Sequence, residues 1–533
     1  MSAQHTRRAL LGASIALAGT GVLAACSDGG TSTGHSGTNH DGMDHDGMDQ
    51  AGPSGTAAPE GYVAPDGPEV AAAEKRRGSG PVREVSLTAT PSRLDLGGGH
   101  TVSTWAYGDR LPGKEVRVTA GDTLALTLAN HLPQPTSMHW HGLALRNDMD
   151  GVPGLTQRAI EPGKDFTYRF AVPDPGTYWF HPHSGVQLDR GLYAPLIVED
   201  PKEPLSYDKE WVVVLDDWLD GVDGSTPDAV LQELTKGHSG HAMEDMPSAD
   251  ADAGTGPSRM LMGATSKLLG GDAGDVGYPY YLVNGRTPQD PAAFSARPGD
   301  RIRLRIINAG GDTAFRVALG GHRMTVTHTD GFPVRHTTTD ALLLGMGERY
   351  DVLVTAGDGV FPLTALAEGK KVSAMALLRT GGGAAPVATV RPKELDGSLV
   401  TADRLTPDAS VALPGRTPDR TVRIRLTGSM AGYDWAFDGK PYSADQRHPV
   451  KAGERVRLEF RNATSMWHPV HLHGHTFALA GNASGARKDT AIVLPRQTLT
   501  VDFDADNPGL WMLHCHNLYH AEAGMMTVVG YRS

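Results

Sequence analysis

Four short segments carry histidines two residues apart: His139-Trp-His141, His181-Pro-His183, His471-Leu-His473 and His514-Cys-His516. In an extended strand, residues i and i+2 project from one face, so each pair aims two imidazoles the same way. A lone histidine is more often a hydrogen-bonded core residue than a ligand. Four same-face pairs reverse that reading. Eight imidazoles exceed the four ligands of a zinc site. They suit a cluster of three metal ions, coordinated two, three and three, if the segments converge on one site.

Cys515 stands between His514 and His516, so the same alternation turns its sulfur to the opposite face. His468 precedes His471 by three, an odd spacing, and therefore shares that opposite face. His520 and Met525 follow Cys515 by five and ten residues. His468, Cys515 and His520 form a His₂Cys set with Met525 as a weak axial ligand, the donor set of a blue-copper electron-transfer centre. Either a free buried thiol or a core methionine is common by itself; paired histidines on both sides of the cysteine argue against that here. Met526 is the other axial candidate, and the spacing favours Met525.

These residues need strands to hold them, and the sequence repeats one. Ala120–Asn130, Pro298–Asn308 and Ala452–Asn462 each read as a Gly-acid turn followed by alternating apolar and polar residues. A period of two marks a half-buried strand. It puts Leu124/Leu126/Leu128, Ile302/Leu304/Ile306 and Val456/Leu458/Phe460 on the core face. Copies 178 and 154 residues apart indicate three homologous domains rather than a short-period solenoid. A second repeat relates only the outer two: Pro175–His183 aligns with Pro508–His516, and His139–Gly142 with His471–Gly474. The middle domain has no His-x-His pair. The expected fold is all-β, with three Greek-key β-sandwich or barrel domains. They are placed at 83–203, 204–388 and 389–533.

The chain has 533 residues, 49 Lys plus Arg and 61 Asp plus Glu, a net charge of −12. An acidic chain without a long basic run is a poor candidate for nucleic-acid binding. Gly (66) and Pro (36) are abundant, as in a turn-rich β protein with flexible connectors. Residues 1–26 read as a twin-arginine-type lipoprotein signal: Arg7-Arg8, the apolar stretch Ala9–Ala25, then Cys26 as the lipidation site. The expectation is an exported protein held by lipid on Cys26 at the outer face of the cytoplasmic membrane or on the periplasmic side. That leaves Cys515 with no partner among the two cysteines. Residues 27–82 read as a disordered linker containing His40-Asp-Gly-Met-Asp44 and its immediate repeat His45-Asp-Gly-Met-Asp49. A second stretch, 237–262, reads as a disordered Met/His-rich insert with His238, His241, Met243, Met246, Met260 and Met262. Thioether and imidazole suit copper; a plain soluble spacer is the alternative.

The segments His139-Trp-His-Gly, His181-Pro-His, His468-Pro-Val-His-Leu-His-Gly and His514-Cys-His-Asn-Leu-Tyr-His520 with Met525 resemble the four signature motifs of the multicopper oxidases. The likeness is to three-domain, laccase-like members and covers about residues 83–533. It implies three cupredoxin-like domains and four coppers. His468, Cys515, His520 and Met525 correspond to the type 1 ligands, and His139 and His471 to the type 2 ligands. His141, His181 and His516 correspond to one type 3 copper, and His183, His473 and His514 to the other. The resemblance further implies oxidation of a small reductant, phenolic or Cu(I), with four electrons passed to O₂ to give water. Asp150 matches in position an acid that supplies protons; its other reading is a turn aspartate. A second relay acid, frequent just after the last type 1 histidine, is replaced by Ala521, and Glu522 follows. Two further readings use the same motifs: a membrane-anchored copper-binding or copper-tolerance protein without turnover, and a copper nitrite reductase, which has no place for eight cluster imidazoles in one chain.

Overall fold

The repeated segments fold as three equivalent strands, Thr123–Asn130, Arg301–Asn308 and Arg455–Asn462, in a computed structural model that describes residues 58–236, 256–443, 445–481 and 483–533. Each sits between a parallel partner upstream and an antiparallel partner downstream. The parallel partners are Val82–Gly97, Lys209–Trp218 and Arg420–Thr427. The antiparallel ones are Asp165–Ala171, Arg349–Thr355 and Thr498–Asp504. The apolar alternates form the core: all nine are at most 1% exposed, each contributing roughly 1.5–3 kcal/mol. Each strand ends on a buried asparagine whose amide donates to two backbone carbonyls. Asn130 reaches Gln134 and Ile160, Asn308 reaches Thr313 and Leu344, and Asn462 reaches Met466 and Val493. In the outer domains this ties the strand end to the segment leading into the first histidine motif.

Every domain is a pair of sheets. The first has two of four strands, the second two of six with a further two-stranded ribbon at Thr265–Ser266 and Gly271–Asp272, and the third one of six and one of five. The histidine-bearing strands are neighbours within one sheet of each outer domain: His139–His141 beside Gly176–His181, and His468–Leu472 beside Leu510–Cys515. The all-β, cupredoxin-like expectation therefore holds.

The middle repeat departs from half-burial. Its polar alternates Arg303 and Arg305 are buried too, because this face packs against the first domain. Both guanidiniums reach Asp351 Oδ2, at 2.6 and 3.1 Å, and Thr177 Oγ1 donates to Asp351 Oδ1 at 2.7 Å. Burial pushes the Asp351 carboxyl up, but Arg303 and then Arg305 outweigh it and hold it down at about 2. Its folded value lies below the unfolded one near 3.8. The stabilisation is therefore present above about pH 4 and fades as pH falls through 2. Asp351→Asn is expected to cost about 3 kcal/mol at pH 7, since two buried cations lose their partner. Denaturant melts should show that difference shrinking below pH 3; an equal difference at pH 7 and pH 2.5 would contradict it.

Three boundaries change. The expected linker 27–82 is not unstructured at its end. A helix spans Pro68–Arg77, with Pro first, Glu69 in the first turn and Lys75, Arg76 and Arg77 in the last, as the helix dipole favours. Val70 and Ala73 are buried. Arg77 donates to Asn507 at 2.7 Å, Glu74 accepts from the Ala171 amide at 2.6 Å, and the Val63 amide donates to Tyr531 O at 2.9 Å. The segment is a strap across the first and third domains. Of the insert 237–262, residues 256–262 have defined structure, held by backbone pairing to 275–277. The second domain runs past 388: Leu399–Val400 pairs with Ala341–Leu344, and Arg335 and Thr406 are hydrogen-bonded. The leader, Cys26, the tandem repeat at 40–49 and residues 237–255 lie outside the described residues.

Candidate metal centres

Strand pairing sets the larger centre. His139 lies opposite His181, and His471 opposite His514. The two sheets meet with His139 stacked on His473 (3.6 Å between ring centroids) and His141 on His471 (3.8 Å). All eight imidazoles are together, and only His183 is half-exposed. Their nitrogens fall into overlapping sets within 4.8 Å: His139/His141/His181, His139/His471/His473 and His183/His473/His514.

Backbone and carboxylate acceptors fix the outward nitrogens. His139 Nδ1 donates to Asp150 O at 2.9 Å, His181 Nδ1 to Pro182 O at 3.0 Å, His471 Nδ1 to Asp489 O at 2.9 Å, and His514 Nδ1 to Cys515 O at 2.8 Å. His473 Nδ1 meets Asp150 Oδ2 at 2.9 Å, and His141 Nε2 meets Asp489 Oδ1 at 3.0 Å. Each of the eight keeps at least one buried ring nitrogen with no partner among the described residues. Burial, reinforced by neighbouring imidazoles, holds His141, His181, His183, His473, His514 and His516 well below the usual histidine range. Neutral imidazoles whose unpartnered lone pairs converge fit a set of bound metal ions. Asp150 is a buried residue against two of these rings, His139 and His473.

On the other face of Cys515 the smaller centre is a triangle. His468 Nδ1 and His520 Nδ1 are 3.1 Å apart, and Cys515 Sγ lies 3.6 and 3.7 Å from them. All three residues are fully buried. Their far nitrogens are fixed: His468 Nε2 meets Thr464 Oγ1 at 2.9 Å, and His520 Nε2 meets Asp275 Oδ2 at 2.8 Å. Asn517 caps the short helix Leu518–Glu522, accepting from the Tyr519 and His520 amides, and so aims His520. Met525 folds back beside the triangle. Its amide donates to His520 O and its carbonyl accepts from the Cys515 amide, both at 3.0 Å. A His₂Cys set of this kind fits copper.

Asp275 and Asp489 lay outside the sequence reading, while Glu522 was named there only as the acid after Ala521. Asp275 comes from the middle domain and also accepts from Tyr433 OH at 3.0 Å. Asp489 accepts from two rings of the larger centre, His141 and His471. Glu522 lines a cavity of about 20 Å³ with His181, His183, His514 and His516; burial, then Asp228, raises its carboxyl to about 7. Asp275 and Asp489 carry no spacing signal, while Glu522 had only its nearness to His520.

Three sequence patterns, each described as multicopper oxidase, match residues 88–203, 209–383 and 415–533. The chain belongs to the multicopper oxidase family, and so to the copper oxidoreductases. It is 51% identical to multicopper oxidase MmcO of Mycobacterium tuberculosis over 463 residues, 86% of this chain and 89% of that one. It is 30% identical to a copper resistance protein A homolog of Pseudomonas syringae pv. tomato, over 84% and 92% of the two chains. The multi-copper oxidase structure from Pseudomonas thermotolerans superposes with a TM-score of 0.63 at 28% identity, over 84% and 99%.

Proposed function

We propose that this protein is a laccase-like oxidase that takes single electrons from a small reductant at His468/Cys515/His520 and reduces O₂ to water at the eight-imidazole site. His468, Cys515 and His520, with Met525, would hold one type 1 copper. His139 and His471 would hold a type 2 copper, and His141/His181/His516 and His183/His473/His514 two type 3 coppers. Bound copper supplies the one-electron redox chemistry and the affinity for dioxygen. The observation that carries the reading is the backbone itself: His514-Cys515-His516 joins the two centres by one residue on each side. The chain does the rest. Asp150 orients His139 and His473 and stands where a proton is needed. Trp179, 4.5 Å from His181 and 5.0 Å from His141, walls off solvent. Export and a lipid on Cys26 would keep the enzyme at a membrane surface.

Cu(I) is the donor the geometry favours. The Leu261 amide donates to Asp275 O at 2.7 Å, and Met260 pairs with Val276. The end of the Met/His-rich insert therefore pairs with the backbone of Asp275, the residue whose carboxylate touches His520. Met262 is 71% exposed there. Soft thioethers on a segment paired to residues 275–277 suit Cu(I). Met260→Leu with Met262→Leu keeps bulk and removes sulfur. Turnover on Cu(I) is expected to fall about tenfold, the order of a lost ligand contact, with turnover on a phenol unchanged. Equal loss on both donors, or none on either, would remove Cu(I) as the favoured donor.

A further inference from the structure

The middle domain supplies no imidazole, yet one of its loops reaches the larger centre. Gly347 lies so close that a Cβ there would meet His141 Cε1 at 2.8 Å and His516 Cδ2 at 3.0 Å. Two residues on, Arg349 grips Asp489 of the third domain through both nitrogens, Nη1 to Oδ1 and Nη2 to Oδ2, each at 2.7 Å. Asp489 Oδ1 in turn meets His141 Nε2 of the first domain, and its carbonyl holds His471 Nδ1. Thr490 Oγ1 completes the set, 2.9 Å from Asp489 Oδ1, 3.0 Å from His141 Nε2 and 3.1 Å from His471 Nδ1.

The arrangement has little freedom. Arg349 Nε donates to Thr177 O at 3.0 Å, and Nη1 also reaches Gly347 O at 3.1 Å. Asp330 Oδ1 accepts the Arg349 amide at 2.9 Å. Lys488, paired with Asp330 and Glu348, balances the remaining acids. Arg349, Asp489, Asp330 and Lys488 are fully buried. Gly142 makes room for the pair: its φ is +89°, and a Cβ there would stand 2.4 Å from Arg349 Nη2 and 2.5 Å from Asp489 Oδ2. Asp489 lies within ligand distance of His141 and His471. Both its oxygens are already taken by the guanidinium, which makes it an acceptor rather than a metal ligand.

We propose that Arg349 is a positioning residue for the eight-imidazole site, acting through Asp489 to fix His141 with Nδ1 inward and His471 with Nε2 inward. The middle domain, without contributing a ligand, thereby sets the geometry of metal ions held by the other two. Lysine cannot replace it, because an ammonium lacks the planar pair of donors that holds both carboxylate oxygens. The proposal rests on the four-copper reading above.

The test is copper retention by the loaded full-length protein under a chelator. The type 2 paramagnetic signal is followed against the blue band of the His₂Cys site. The ratio counts only folded molecules. In Arg349→Lys and in Asp489→Asn the type 2 signal should vanish at about tenfold to a hundredfold lower chelator than in wild type, the usual effect of losing a ligand's hydrogen-bonding partner. The blue band should persist. The double variant should be no worse than the weaker single one, since the two act as a unit. An unchanged ratio, additive effects, or loss of both signals in step in both single variants would overturn the assignment. A wild-type protein with a blue band but no type 2 signal would instead sink the four-copper reading itself.

Discussion

Cys515→Ser is expected to abolish the blue absorption and to cut O₂ consumption by on the order of a thousandfold or more, at least about 4 kcal/mol of lost transition-state stabilisation. The sulfur is the only thiolate of its centre and the only side chain between His514 and His516. A serine oxygen neither makes the thiolate bond nor supports its colour. The eight imidazoles lie on the other face, held by Asp150, Asp489 and backbone carbonyls. The type 2 signal should therefore remain. Visible absorption and oxygen uptake read both halves. Uptake within tenfold of wild type would mean that electrons enter by another path.

Asp150→Ala is expected to leave the blue band intact and slow turnover by about a hundredfold or more, the scale of losing a positioned acid together with a ring's hydrogen-bond partner. Asp150→Asn separates the two contributions. Its amide oxygen still accepts from His473 Nδ1, at 2.9 Å in the native protein, but it carries no proton to give. If Asn restores full turnover, Asp150 only orients His473. Unchanged turnover in both variants at every pH would remove Asp150 from the mechanism.

What could be read in advance follows a physical division. Period-two strands and i, i+2 histidines are local, so spacing alone carries the core faces, the threefold repeat and the shared face of each histidine pair; the meeting of the four pairs is made by packing of the outer domains, His139 on His473 and His141 on His471. The odd step from His468 to His471 was enough to put it with Cys515. Arg349, Asp489 and Asp275 act across domain interfaces, where no local period records a partner. The two buried arginines of the middle repeat broke the alternation because their face meets another domain and not water. The helix Pro68–Arg77 was hidden by Gly- and Pro-rich flanks, although its Pro start, acidic first turn and basic last turn were present in the sequence. The segment 393–408 rejoins the second domain through a two-residue strand and a few backbone bonds, too short to leave a pattern.

In the proposed function one thiolate couples a single copper to a cluster of three. This coupling is tested most directly by metal analysis, visible absorption and paramagnetic resonance on one copper-loaded sample during O₂ uptake. Four coppers per chain are expected, of which one blue and one normal centre are paramagnetic and two are silent, with all signals bleaching as reductant is consumed and returning with oxygen. One copper per chain, or a blue band that never bleaches while oxygen is taken up, would contradict it.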